Sequence, residues 1–184
     1  LGNYREIPFV QKYRVTLTGL TSAKITVYEK SMVGYVEFMG SCLYFDKDGM
    51  VVESSKEHYG SVPKVTGLQM DYIVLNQKLP VVDDVIFQEL LQMTQYFSST
   101  MITFGDMESD MISLVDGIHF DSHENVSCTI GDIEISFGSG EQMEGKLQEM
   151  HDILPKLYGR RGTLHLETYD ETVTEPSYVF RNRE

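Results

Sequence analysis

Residues 126–137 read VSCTIGDIEISF, and the reading of this stretch decides the fold. Val126, Cys128 and Ile130 alternate with polar residues as far as Gly131-Asp132, and Ile133, Ile135 and Phe137 resume the alternation beyond it. Successive side chains of a strand point to opposite faces, so each half predicts a half-buried strand, and the two-residue loop predicts a tight hairpin. The implied register pairs Ile130 with Ile133, Cys128 with Ile135 and Val126 with Phe137. All six apolar side chains then share one face, and Asp132 and Glu134 lie on the polar one. ISLVDGIHF, residues 112–120, predicts a similar hairpin around Asp116-Gly117, joining the first in an antiparallel meander.

Two other segments carry helical spacing. In DDVIFQELLQMTQYF, residues 83–97, Ile86, Leu90, Met93 and Phe97 form one stripe and Asp83 or Asp84 can cap the start. A second helix is expected from Ser139 to about Tyr158. Ser139 and Gln142 fit a capping box, Met143, Leu147, Met150 and Leu154 form the buried stripe, and Pro155 and Gly159 end or kink it. YRVTL and KITVYE predict two strands around Gly19–Ser22, and IPFV before them reads as the tail of a helix. TLHLETY and a short last strand, SYVF, return the chain to a sheet. Strands and helices in this order give an α+β fold. The Gly/Ser break at Met39–Ser41 separates two strand pairs and marks the expected domain boundary.

The composition narrows the function classes. The chain has 184 residues with 41% hydrophobic content, enough for a sizeable core, and no run long and apolar enough to span a bilayer. A net charge of −13 repels phosphate backbones, so no nucleic-acid partner is expected. The charge is uneven. Residues 1–30 hold Arg5, Lys12, Arg14, Lys24 and Lys30 against Glu6 and Glu29, a balance of +3 that leaves −16 for the rest. Cys42 and Cys128 form no metal-ligand or redox spacing and read as two small buried residues.

Several motifs invite a chemical reading. YFDKDGMVVE, residues 44–53, has two carboxylates beside Gly49 but lacks the third acid of a calcium loop, and its flanks are strand-like, so a hairpin turn is expected. His119 and His123 are four apart, yet four residues of extended chain span about 13 Å, too far to share an ion, so they read as loop histidines. SFGSGEQ, residues 136–142, places glycines at a helix start as a phosphate cradle would. Glu141 and Glu144 would repel phosphate there and suit the helix dipole instead. Asp106, Glu108 and Asp110 are the candidate acids for a hydrolase, against the commoner reading as an acidic surface loop. No nucleophile or phosphate-loop motif appears, and no catalytic, cofactor or metal residue is assigned.

Five motifs in order carry a resemblance. Val27–Lys30 gives Val-x-Glu-Lys, Val33–Val36 gives Val-Gly-Tyr-Val, Tyr44–Gly49 gives Tyr-x-Asp-x-x-Gly, Pro63–Gly67 gives Pro-x-x-x-Gly, and Lys146-Leu147 falls in the second helix. With the order of elements, these resemble the FtsQ/DivIB family of bacterial cell-division proteins over essentially the whole chain. The resemblance implies that residues 1–38 are the C-terminal part of a POTRA domain, a partial strand pair. Residues 39–184 would be the β domain, a mostly antiparallel sheet with two helices packed on one side. It implies a non-catalytic divisome scaffold, single-pass in the cell membrane, with this region extracytoplasmic at the septum. The implied partners are division proteins of the FtsB/DivIC and FtsL types, with no small-molecule substrate and no cofactor. The implied partner-binding residues are Ser177, Tyr178, Val179 and Phe180, where a partner adds a strand to the sheet; a short terminal strand with unpaired backbone groups suits that role. The alternatives are a wall hydrolase using Asp106, Glu108 or Asp110, and a POTRA-containing module of a secretion or sporulation complex.

Overall fold

A computed structural model describes residues 7–174 and 178–183. Near the start, β1 (Val10–Leu17) and β2 (Ala23–Glu29) form a two-stranded antiparallel ribbon, as their sequences predict. Ile7–Phe9 before it form a turn rather than a helix end, closed by Val10 N–H on the Ile7 carbonyl at 3.1 Å. A nine-stranded sheet follows, built from β3 (Gly34–Phe38), β4 (Ser41–Phe45), β5 (Val51–Ser55), β6 (Lys64–Thr66), β9 (Gly117–Phe120), β10 (Val126–Ile130), β11 (Ile133–Gly138), β12 (Gly162–His165) and β13 (Val179–Asn182). Its order is β13-β12-β11-β10-β9-β6-β3-β4-β5. A separate hairpin joins β7 (Met101–Phe104) to β8 (Met107–Asp110). The fold is α+β and mostly antiparallel, with α1 (Asp84–Ser99) and α2 (Met143–Ile153) packed on one side.

The Gly/Ser break at Met39–Ser41 is the turn of the β3–β4 hairpin. Met39 and Gly40 both have positive φ, at 49° and 76°, as a two-residue hairpin turn demands. Gly34–Phe38 therefore belong to the large sheet, and the chain leaves the ribbon for that sheet within Lys30–Val33.

The hairpin at 126–137 forms with Ile130 opposite Ile133 and Cys128 opposite Ile135. Its far end differs from expectation: Val126 pairs with Gly138, and Phe137 is the extra residue of a bulge. Gly138 turns at φ 65°, and the bend keeps both Val126 and Phe137 in the core. No hairpin forms at Asp116-Gly117. Met111–Ser113 make a 3-10 turn, and β9 pairs with β10 on one side and, in parallel, with β6 on the other, so only β9-β10-β11 form the meander. The Asp116 carboxylate instead accepts the Gly131 N–H at 2.7 Å and holds the β10–β11 turn.

Helix α1 follows its sequence. Asp83 caps it by accepting from the backbone of Val85 and Ile86, and Leu90, Met93 and Phe97 are fully buried. Helix α2 begins three residues later than the capping box predicts, because Gln142 adopts a left-handed φ of 55° and neither it nor Ser139 caps the helix. Lys146 instead ties the first turn to the end of β11. Its side chain is 3% exposed, and Nζ donates to the Phe137 and Ser139 carbonyls, both at 2.8 Å. Met143, Leu147, Met150 and Leu154 are buried as expected, each worth on the order of 1.5–3 kcal/mol against Ile118, Phe120, Cys128, Ile135, Phe137 and Leu164 of the sheet. Helix α2 also carries the chain from β11 to the parallel strand β12, a join that no tight turn can make.

A smaller cluster, Tyr35, Cys42 and Tyr44, lies on the other face with Phe9 against it. Both cysteines are buried and unbridged, as expected, and burial pushes the Cys128 thiol well up. The ribbon is tied to the sheet through Glu53, whose carboxylate accepts from Lys30 Nζ at 3.0 Å and from the Phe9 N–H at 2.9 Å. Burial works against that charge, but the bonds from Phe9, Lys30 and Ser54 outweigh it and hold the carboxyl below its usual range.

Two outcomes follow. Lys146→Met keeps the buried stem but strands two carbonyls, and should cost about 1–3 kcal/mol in urea unfolding. Glu53→Gln should cost about 1–2 kcal/mol at neutral pH. Because the folded carboxyl titrates lower than the unfolded one, its contribution is complete above about pH 4.3 and is lost as pH falls through the folded value, so wild type and variant should converge in acid.

Candidate interaction edge

Strand β12 is central in all but name: Leu164 is fully buried, and β11 and β13 flank it. β13 lies outside it, with Val179 opposite His165, Phe180 opposite Leu164, Arg181 opposite Thr163 and Asn182 opposite Gly162. A side chain at Gly162 would collide with the Arg181 carbonyl and the Phe180 ring, so this glycine is what lets β13 close on the sheet.

The direction of each backbone group follows from two bonds. Arg183 N–H donates to the Arg161 carbonyl at 3.0 Å, and Leu166 N–H donates away from β13 to Ser136 at 2.9 Å. Antiparallel ladders alternate between bonded and non-bonded pairs, so Val179, Arg181 and Arg183 turn their amides and carbonyls toward β12. Phe180 and Asn182 turn theirs outward. Among the described residues no strand pairs with that outer side.

The opposite edge of the sheet is guarded. Val51 exchanges bonds with Asn76 and Gln77 at 2.7 and 2.8 Å, Met50 bridges Lys78, and Lys30 Nζ binds the Val52 carbonyl at 2.9 Å. The chain covers the first half of β5 with its own backbone, whereas among the described residues the outer side of β13 is left unpaired.

The residues assigned to partner binding divide unevenly. Ser177 lies outside the described residues. Tyr178 is exposed just before β13, Val179 is half exposed on the face away from the helices, and Phe180 packs partly into the core. The strand therefore runs from Val179 to Asn182, two residues later than SYVF implies. Sequence reading missed Asn182 and gave the arginines around it no role. The Arg160 guanidinium sits 4.7 Å from the centre of the Phe180 ring and donates to Asn182 Oδ1 at 3.0 Å. Arg161 pairs with Asp132 at 3.1 Å and Arg183 with Glu134 at 2.9 Å. The signal was present as RR at 160–161 and RNR at 181–183, but only the β12–β13 register brings the two runs together.

The remaining motifs resolve as local structure. DKDG is a hairpin turn: Asp46 Oδ1 accepts from the backbone of Asp48 and Met50, and Gly49 sits at φ 77°. Phe45 faces Val51 and Leu43 faces Ser54, because a bulge sets Val52 aside. His119 Nδ1 meets Thr66 Oγ1 at 2.8 Å on β9, whereas His123 lies in the β9–β10 turn that Asp121 organises. Among the described residues no three histidines, cysteines or acids are grouped to hold a metal. The SFGSGEQ segment does receive an anion, but the chain's own: the Glu89 carboxylate of α1 lies against Gly140, which corrects the capping account of those glycines. Burial, then the nearby Asp83 and Glu124, push the Glu89 carboxyl up. Asp106, Glu108 and Asp110 lie along the β7–β8 hairpin, all exposed, and Glu108 reaches the rim of a cavity of about 630 Å³ shared with Phe104, Met107, Leu114 and Tyr158.

No helix among the described residues is long and apolar enough to cross a membrane. No protein-family model matches the chain, and no curated protein matches it in sequence.

Proposed function

We propose that this chain is an extracytoplasmic scaffold segment of the FtsQ/DivIB type, which binds a division protein of the FtsB/DivIC or FtsL type by accepting a strand along β13. In the intact protein it would be held in the cell membrane by a single span and would act at the septum without catalysis. The observation that carries the reading is the outer side of β13, unpaired among the described residues, at the end of a sheet whose other edge is partly covered by its own chain. The five ordered motifs from Val27 to Leu147 supply the family. A fully formed ladder of backbone bonds gives such an addition its affinity, and flanking side chains give it specificity.

Two proline variants separate edge from strand. Asn182→Pro removes an outward donor while leaving the amides of Val179 and Arg181 on β12. It should abolish recovery of septal coiled-coil proteins by the tagged full-length protein, with little change in its melting temperature. Val179→Pro removes an inward bond and should loosen β13 itself. Undiminished recovery with Asn182→Pro, or recovery of wild type with a secretion or sporulation complex instead, would overturn the proposal.

A further inference from the structure

We propose that the cavity beside the β7–β8 hairpin binds a small amphipathic organic cation, an apolar or aromatic body carrying one positive head. The inference makes no use of the outer side of β13, so it stands or falls separately from strand addition. The cavity holds about 630 Å³, within the range of small-molecule sites, and opens where the hairpin, the β10–β11 turn and the chain that follows α2 meet. Ile133 and Leu154 form the buried part of its lining, and Phe104, Leu114 and Ile130 line it half-buried. The Phe104 and Tyr158 rings lie 5.5 Å apart between centres, and Tyr158 is 69% exposed, so aromatic surface faces the opening. An apolar ligand body would take that surface out of water.

Charge selects the head. Glu108, Asp116 and Asp132 line the cavity against one opposing charge, Arg160. Three of these four are engaged by their own chain: Asp116 accepts the Gly131 N–H, Asp132 pairs with Arg161, and Arg160 lies over the Phe180 ring and donates to Asn182. Among the described residues the Glu108 carboxylate has neither a hydrogen bond nor an ion pair, and it stands at the rim where a cation can meet it. An anion would be repelled by the same lining. A metal ion would find too few ligands, since among the described residues no three histidines, cysteines or acids gather to hold one. A helix is about 10–12 Å across with its side chains, and two turns of one exceed this volume, so the cavity suits a compact molecule.

The test uses the 184-residue chain, isotope-labelled, with 4-phenylbutylamine, 4-phenylbutanol and 4-phenylbutyrate, which share one body and differ in the head. The amine should move the amide resonances of Leu114, Ile130 and Ile133 with a Kd of about 1 mM. The alcohol should bind about twofold to fivefold more weakly, as an exposed ion pair allows, and the carboxylate more weakly still. Glu108→Gln should bring the amine down to the affinity of the alcohol and leave the alcohol unchanged. Equal binding of amine and alcohol to wild type would overturn the cationic preference. No movement of those resonances by any of the three at about 10 mM would overturn the site itself. Tighter binding of a capped phenylalanyl-lysine dipeptide than of the amine would give the cavity to the side chains of a protein and overturn the small-molecule assignment.

Discussion

A strand at the end of a sheet must leave half of its backbone donors and acceptors without a partner from its own chain, and here that burden falls on Phe180 and Asn182. The rest of the architecture determines why. Helix α2 must lie on the sheet to bury Met143, Leu147 and Met150, and in doing so it returns the chain in the direction of β11, so β12 enters in parallel. β12 buries Leu164 fully, and β13 covers its outer side. Among the described residues no strand pairs with the outer side of β13 in turn. The bare edge is thus a consequence of the α2 crossover and the core beneath it.

Electrostatics gives this edge a character that the rest of the surface lacks. The ion pairs of Arg161 and Arg183 are exposed and each contributes no more than about 1 kcal/mol, so they add little stability. Their effect is to hold long side chains on one face of the β12–β13 ladder. Buried polar groups work differently. Lys146 and Glu53 each bind backbone groups from the partly or fully buried interior, and they fix, respectively, the end of β11 and the seat of the ribbon.

Much of this was legible in the sequence wherever periodicity and turn chemistry acted together. The Ile130–Ile133 register, the Asp83 cap and the DKDG turn depend on a few adjacent residues, and local rules reach that far. The failures share a different cause. Ser139 and Gln142 have the right residues for a capping box, but Gln142 takes a left-handed φ, and the Glu89 carboxylate, distant in sequence, packs against Gly140 between them. The Asp116-Gly117 pair looks like a hairpin, yet β6 takes the far side of β9 from more than forty residues away. The edge residue Asn182 was missed for the same reason: which amides point outward depends on pairing with Gly162, which no local pattern encodes.

The most direct measurement needs no partner. Amide hydrogen exchange in the free protein, resolved by residue along Val179–Asn182, reads the direction of each backbone group. Fast exchange at Phe180 and Asn182, with slow exchange at Val179 and Arg181, is the result expected of a strand bonded on one side only. Slow exchange at all four would mean that another part of the molecule already covers the outer side, and strand addition at β13 would have no place to occur.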